Sequence, residues 1–168
     1  MVPQAENAER EQRLVIEKAA RTLHLYVGTC LDRSYPVALG RNWAADKAVE
    51  GDEATPIGEF YICSKNPRSK FFLSMCLSYP NAEDAERGLA AGLISPEEHG
   101  NILAALREKR VPPQHTRLGG EIYIHGQDPT PRLRGPKDWT RGCIALDNGA
   151  MQHLYERIAL GTLVLIRD

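Results

Sequence analysis

The sequence predicts one small domain, mainly β, with helices set between and after the strands. Three observations predict it. Short apolar runs bounded by Gly, Pro and polar turns recur along the chain, and residues 22–27 alternate strictly, with Leu23, Leu25 and Val27 on one side and Thr22, His24 and Tyr26 on the other. The pattern turns helical in two places, after Tyr79-Pro80 and after Leu146. At 168 residues, 42% hydrophobic and 26% charged, the chain suits a single globular domain with a sizeable core.

Residues 1–12 read as a polar lead-in and 13–168 as the domain. Leu14-Val15-Ile16 forms a first strand and residues 22–27 a half-buried second, on which His24 faces solvent. Residues 28–34 then turn, and Tyr35-Pro36-Val37-Ala38-Leu39 returns as the hairpin partner, with Pro36 suited to an edge. A polar loop over 40–52 leads to Thr55-Pro56-Ile57-Gly58-Glu59-Phe60, a shaped corner because Pro fixes φ and Gly permits a tight turn. Tyr61-Ile62-Cys63 and residues 71–77 continue as strands, the latter contributing Phe and Leu to the core.

Residues 82–91 are rich in Ala, Glu and Arg and stop at Gly92, which predicts a helix. Ser95-Pro96-Glu97-Glu98 is a capping box with Pro at the first helical position, opening a second helix to about residue 109 that buries Ile102, Leu103 and Leu106. This pair is a helical insertion over about 82–110, with a solvated charged face and a position from which it could cover a site. Gly119-Gly120 leads into a strand over 121–124. Asp147 caps a last helix whose Met151, Leu154, Tyr155 and Ile158 form one apolar stripe, with His153 off that stripe and exposed. Residues 162–166 close the domain as a strand.

A formal charge of -1 gives no electrostatic case for nucleic acid or anionic membrane as partner. No apolar run approaches the roughly 18–20 residues needed to span a bilayer. The first residues lack the basic-then-apolar order of a signal peptide, so the chain is either cytoplasmic or a mature form from which a signal was removed. Cys30, Cys63, Cys76 and Cys143 include no C-x-x-C pair, and the histidines are scattered, so no metal site is expected. Cys30, Cys63 and Cys76 read as buried free thiols on strands, with a disulfide among them as the alternative.

The chemistry concentrates in residues 122–148. His125-Gly126 ends one apolar run, a loop carrying Arg132, Arg134 and Lys137 follows, and Trp139-Thr140-Arg141-Gly142-Cys143 begins the next. A thiol becomes a useful nucleophile when its thiolate is favoured, by nearby cations or by an imidazole that takes the proton. Gly142 leaves the backbone bare, so N–H groups there can face a developing oxyanion. The pattern fits acyl transfer with Cys143 as nucleophile and His125 as base. Taken singly, each residue also has an ordinary structural reading, as a strand-end histidine and a buried thiol after a turn. No G-x-S-x-G, Walker or dinucleotide-binding glycine pattern competes.

These residues resemble the YkuD-type L,D-transpeptidases, whose signature is a His-Gly, a loop, then Ser/Thr-His-Gly-Cys. Here His125-Gly126 precedes Thr140-Arg141-Gly142-Cys143-Ile144. Tyr35-Pro36-Val37-Ala38-Leu39-Gly40 is similar to the family's second strand, Thr55-Pro56-Ile57-Gly58-Glu59-Phe60 to its T-P-x-G-x-F corner, and Gly161-Thr162-Leu163-Val164 to its final G-T-x-V strand. The resemblance covers essentially residues 13–167.

It implies a β-sandwich-like catalytic domain in which Cys143 attacks the L-centre carbonyl of a peptidoglycan stem tetrapeptide and the terminal D-alanine leaves. A second stem peptide, a D-amino acid or water would accept the acyl group, giving a 3–3 cross-link, exchange or hydrolysis. His125 would be the base and the backbone of Arg141, Gly142 and Cys143 the oxyanion hole. Gly126, Thr140, Arg141, Tyr79 and Asn81 would contact substrate. No cofactor or metal is implied, and a monomer in the periplasm or cell envelope is expected if a signal was removed. An L,D-carboxypeptidase or amidase, and a non-catalytic domain that binds cell-wall peptides, are the alternatives. The chain departs from the family at Arg141, where familiar members carry His, and at Ala145, where many carry Asn or Arg. The segment from Tyr79-Pro80-Asn81 through the two helices resembles a subgroup with a helical insertion.

Overall fold

A computed structural model describes residues 10–127 and 138–168. Most of the expected lead-in, and Arg132, Arg134 and Lys137, lie outside the described residues. In chain order the elements are β1 (Gln12–Glu17), β2 (Thr22–Val27), β3 (Cys30–Pro36), β4 (Gly58–Ser69), β5 (Phe72–Leu77), α1 (Ala82–Ala90), α2 (Pro96–Arg107), β6 (Tyr123–His125), β7 (Ile144–Ala145), α3 (Asn148–Arg157) and β8 (Leu163–Arg167). The domain is mainly β with three helices, as the apolar runs predict.

The strands form one sheet in the order β3-β2-β1-β8-β4-β5-β6-β7. β1 runs parallel to β8 and β6 parallel to β7, and the other pairings are antiparallel. The sheet curls until its ends meet. Beyond β3 the chain reaches Ala38, which exchanges two backbone hydrogen bonds of 2.9 Å with Ala145 of β7, and Gly40 then bridges Thr140. The curl encloses one apolar core, in which Leu14, Leu25, Ile62 and Met75 are fully buried. From outside the sheet, α3 adds Met151 and Leu154 to that core, and Asp147 caps the helix by accepting the Ala150 N–H at 3.0 Å.

The helical insertion carries its own small cluster of Ala85, Ile94, Ile102 and Leu118. Both of its helices start with a complete capping box, Asn81 with Asp84 and Ser95 with Glu98. In α2 the fully buried positions are Ile102 and Ala105, while Leu103 and Leu106 are half-buried, so the apolar stripe is rotated from the expected one.

Three further expectations need correction. The β2–β3 turn is only Gly28-Thr29, and β3 begins at Cys30 rather than Tyr35. Gly28, at φ +59, permits so short a connection. β3 is an edge strand with Tyr35 as its one buried residue, and so it shows no apolar alternation to read. His153 is half-buried, its Nδ1 paired with the Tyr35 hydroxyl. His24 is likewise half-buried, with Nδ1 2.7 Å from Ser34 Oγ. All four thiols are free, and of the three read as strand thiols Cys30 is exposed, Cys63 half-buried and Cys76 buried.

Candidate active site

The parallel ladder of β6 and β7 sets Ile124 opposite Ile144 and His125 opposite Ala145. Cys143, one residue before β7, therefore comes beside Tyr123. The imidazole and the thiol sit on neighbouring strands at the closing edge of the curled sheet. The Tyr123 N–H donates to Cys143 Sγ and the thiol donates to the Glu121 carbonyl, each at 3.4 Å. In this resting arrangement no direct hydrogen bond joins Cys143 to His125 among the described residues. Such contacts commonly form only once substrate is bound.

His125 is 2% exposed. Its Nδ1 lies 2.5 Å from the Gly126 carbonyl. A carbonyl can only accept, so Nδ1 carries the proton and Nε2 is the basic nitrogen. Burial holds the imidazole below its ordinary pKa, the Gly126 bond works against that shift, and the Lys70 cation adds to it. Burial also pushes the Cys143 thiol up to about 11, opposed by the Tyr123 N–H. At neutral pH the pair therefore rests as neutral thiol and neutral imidazole.

Thr140 organises the turn before the thiol. Its Oγ1 accepts the Gly142 N–H at 3.1 Å and donates to the Cys143 carbonyl at 2.7 Å. Its backbone bonds Leu39 and Arg41 on the far side of the closure. Gly142 has φ +131, and a Cβ there would stand 2.6 Å from the Ala54 carbonyl oxygen, so only glycine fits. One turn back, Asp138 receives Arg21 Nε and Nη2 at 2.9–3.1 Å and the Leu39 N–H at 3.1 Å. Gly126 is similarly confined: a Cβ would meet Asn148 Oδ1 at 2.5 Å and the Phe71 carbonyl oxygen at 2.7 Å.

The structure thus brings together His125, Gly126, Thr140, Arg141, Gly142 and Cys143. Within that group Gly126 and Thr140 are framework, and the Arg141 side chain is exposed. The Gly142 N–H is already committed to Thr140, which removes it from the expected oxyanion hole. Tyr79 and Asn81, expected to contact substrate, are occupied by contacts within the fold. Tyr79 is fully buried, with its hydroxyl donating to the Leu118 carbonyl at 2.7 Å. Asn81 spends Oδ1 on the α1 cap and donates Nδ2 to the Glu59 carbonyl at 3.3 Å. Both join the insertion to the sheet, a role that short-range sequence pattern cannot separate from substrate contact.

Sequence reasoning missed the aromatic surroundings of His125. Phe71 stacks on the imidazole with centroids 4.4 Å apart and planes at 21°, and Trp139 meets it edge-on at 5.9 Å. Phe71 reads as an ordinary core residue. Only the turn joining β4 to β5 brings it over the histidine. A cleft of about 710 Å³ opens nearby, lined in part by Arg21, Tyr35, Ala38, Gln127, Ala145 and Asp147. It adjoins the site through Gln127 and Ala145, but neither His125 nor Cys143 lines it. Among the described residues no group of three or more His, Cys, Asp or Glu is placed to hold a metal, and no helix is long and apolar enough to cross a membrane.

The family model for the YkuD L,D-transpeptidase catalytic domain matches residues 11–166. A search of curated proteins finds no match. Among solved structures, the helical cell shape determining protein Pgp2 from Campylobacter jejuni superposes with a TM-score of 0.65 at 22% identity, over 94% of this chain and 48% of that one. Bd1075 from Bdellovibrio bacteriovorus gives 0.58 at 21%, over 96% and 49%. An L,D-transpeptidase from Mycobacterium smegmatis gives 0.56 at 15%, over 94% and 59%. At these identities the likeness is one of fold, and the chain spans about half the length of the structures it matches.

Proposed function

We propose that this chain, which belongs to the YkuD family of L,D-transpeptidase catalytic domains, is a cysteine acyltransferase of peptidoglycan stem peptides working in the cell envelope. The observation that carries the reading is the parallel β6–β7 ladder, which sets Cys143 two register steps from His125 while the Gly126 carbonyl fixes the imidazole tautomer.

In the proposed reaction a stem tetrapeptide docks with its L-centre carbonyl over Cys143. His125 Nε2 takes the thiol proton as Sγ bonds to the carbonyl carbon. The N–H groups of Arg141 and Cys143 receive the oxyanion, on a turn that Thr140 holds rigid. Collapse breaks the C–N bond to the terminal D-alanine, whose amine takes the proton from the imidazolium, leaving a thioester. An acceptor amine gives its proton to His125 and attacks. The new amide forms and the thiolate departs and is reprotonated. With a second stem peptide the product is a 3–3 cross-link, and with a D-amino acid it is an exchanged stem. Arg141, exposed beside the thiol, offers a cation to a stem-peptide carboxylate.

The test is incubation of the protein and of Cys143→Ala with disaccharide-tetrapeptide, followed by mass spectrometry. Wild type is expected to give cross-linked dimers and an acyl adduct on Cys143, and the variant neither. Tripeptide without dimer would reassign the enzyme as an L,D-carboxypeptidase. Equal turnover by the variant, or no adduct in wild type, would end the nucleophile assignment.

A further inference from the structure

We propose that Phe71 is the positioning residue of His125, supplying through a ring stack the orientation that a third hydrogen-bonding side chain gives in other nucleophile–histidine sites. The inference rests on the acyl-transfer reading for its consequence on rate, but not for its structural content.

The backbone bond from Nδ1 to the Gly126 carbonyl fixes one ring atom and the tautomer. It leaves the imidazole free to tilt about the axis through that atom, and tilt moves Nε2. Phe71 removes this freedom. Its ring lies 4.4 Å from the imidazole centroid and 21° from coplanar, so rotation of the histidine drives it into the phenyl face. Trp139 meets both rings, at 5.9 Å from His125 and 6.1 Å from Phe71, which supports the stack from a second direction.

The turn is built to hold Phe71 there. The Phe71 N–H donates to Ser69 Oγ at 3.1 Å, and its carbonyl accepts the Leu73 N–H at 3.1 Å. Phe72 takes φ +76, which turns the chain back sharply. The Leu73 carbonyl then accepts the Gly126 N–H at 3.1 Å. The absence of a side chain on Gly126 lets the Phe71 carbonyl approach within 2.7 Å of where a Cβ would stand. The turn and the His125-Gly126 backbone are therefore one unit. β4 runs on to Ser69, and this reach brings the turn over the site.

The same contact shields one face of the imidazole from water. Among the described residues the ionisable groups around it are Lys70 on this turn, whose Nζ lies 5.1 Å from the Phe71 centroid, the Cys143 thiol beside β7, and Tyr123 on β6 itself. α3 presents Asn148, an uncharged side chain whose Oδ1 accepts the Gln127 N–H at 3.0 Å. Phe71 covers one ring face, so removing it admits water to a histidine that burial now keeps neutral.

The experiment compares wild type with Phe71→Leu, which loses the flat ring, and Phe71→Tyr, which keeps it. The His125 titration, followed by NMR in the resting protein, is expected below 6.5 in wild type and Phe71→Tyr, and displaced upward toward 6.5 in Phe71→Leu. In the peptide assay kcat is expected to fall about tenfold to hundredfold in Phe71→Leu with KM little changed, and to recover in Phe71→Tyr. An unaltered titration in Phe71→Leu would overturn the proposal. Phe71→Met serves in its place should the Leu variant fail to fold, with the same two outcomes. The titration needs no turnover. A wild-type protein inert toward stem peptides would count against the acyl-transfer reading and would leave the stack to be decided by NMR.

Discussion

His125 is fixed by what packs on its ring, whereas Cys143 is fixed by backbone groups around its sulfur and by the turn beneath it. The histidine has aromatic rings on its face and edge and a single carbonyl on Nδ1. The thiol lies between the Tyr123 N–H and the Glu121 carbonyl, on a loop stitched by Thr140. Both environments favour the uncharged form. Cys143, the proposed nucleophile, therefore rests as a thiol and not as a thiolate. In the proposed reaction the proton moves to His125 when the carbonyl arrives.

The contrast is most directly broken on the thiol side by Gly142→Ala. The new Cβ would meet the Ala54 carbonyl oxygen at 2.6 Å, at a backbone conformation of φ +131 that alanine rarely adopts. We expect about 2–3 kcal/mol of lost stability by urea denaturation and a fall in kcat on the order of a hundredfold as the Cys143 N–H is displaced. A variant with wild-type kcat would show that the turn does not aim the oxyanion donors.

The neutrality of the pair is sharpened by pH. With the thiol raised to about 11, its thiolate fraction grows roughly tenfold per pH unit through the range from 7 to 10. Iodoacetamide at pH 8, read by peptide mass spectrometry, should therefore modify exposed Cys30 well before Cys143. Because the His125 pKa is lowered, its base form already prevails at pH 7, and the acid limb of kcat/KM should fall only below pH 6.5. Rapid labelling of Cys143 at pH 6 would instead indicate a preformed ion pair.

The smallest effect is expected outside both halves. Tyr79→Phe removes a buried donor to the Leu118 carbonyl and should cost about 1–2 kcal/mol of stability with KM unchanged. A rise in KM would return Tyr79 to the substrate surface.

The strands with a buried face, the corner before β4, the Ser95 capping box and the helix after Asp147 were legible in the sequence because each rests on short-range pattern, whereas the Asn81 capping box was not read from it. The His125 and Cys143 motifs were legible for the same reason. β3 was not, since an exposed edge strand carries no apolar period. Phe71 was not, because a phenylalanine at a strand end reads as core until the turn is known. The backbone partners of the Thr140 and Tyr79 hydroxyls were not legible either, since a short motif tells that a residue matters and not which groups it meets. The committed Gly142 N–H was equally hidden, for it depends on where one hydroxyl points.

The sheet closes through segments that lie far apart in the chain. β1 lies against β8, Ala38 against Ala145, and Arg21 reaches Asp138 across 117 residues of sequence. Bringing such distant segments together carries a loop-closure cost that local contacts do not. On the ribosome, where the amino-terminal strands emerge first, β1 can pair with β2 at once but must wait for nearly the whole domain before β8 appears on its other side. A fragment ending before β8 contains the histidine, the thiol and the β6–β7 ladder between them, and lacks the strand that joins β1 to β4. The sheet is continuous from β3 to β7 only once β8 is in place.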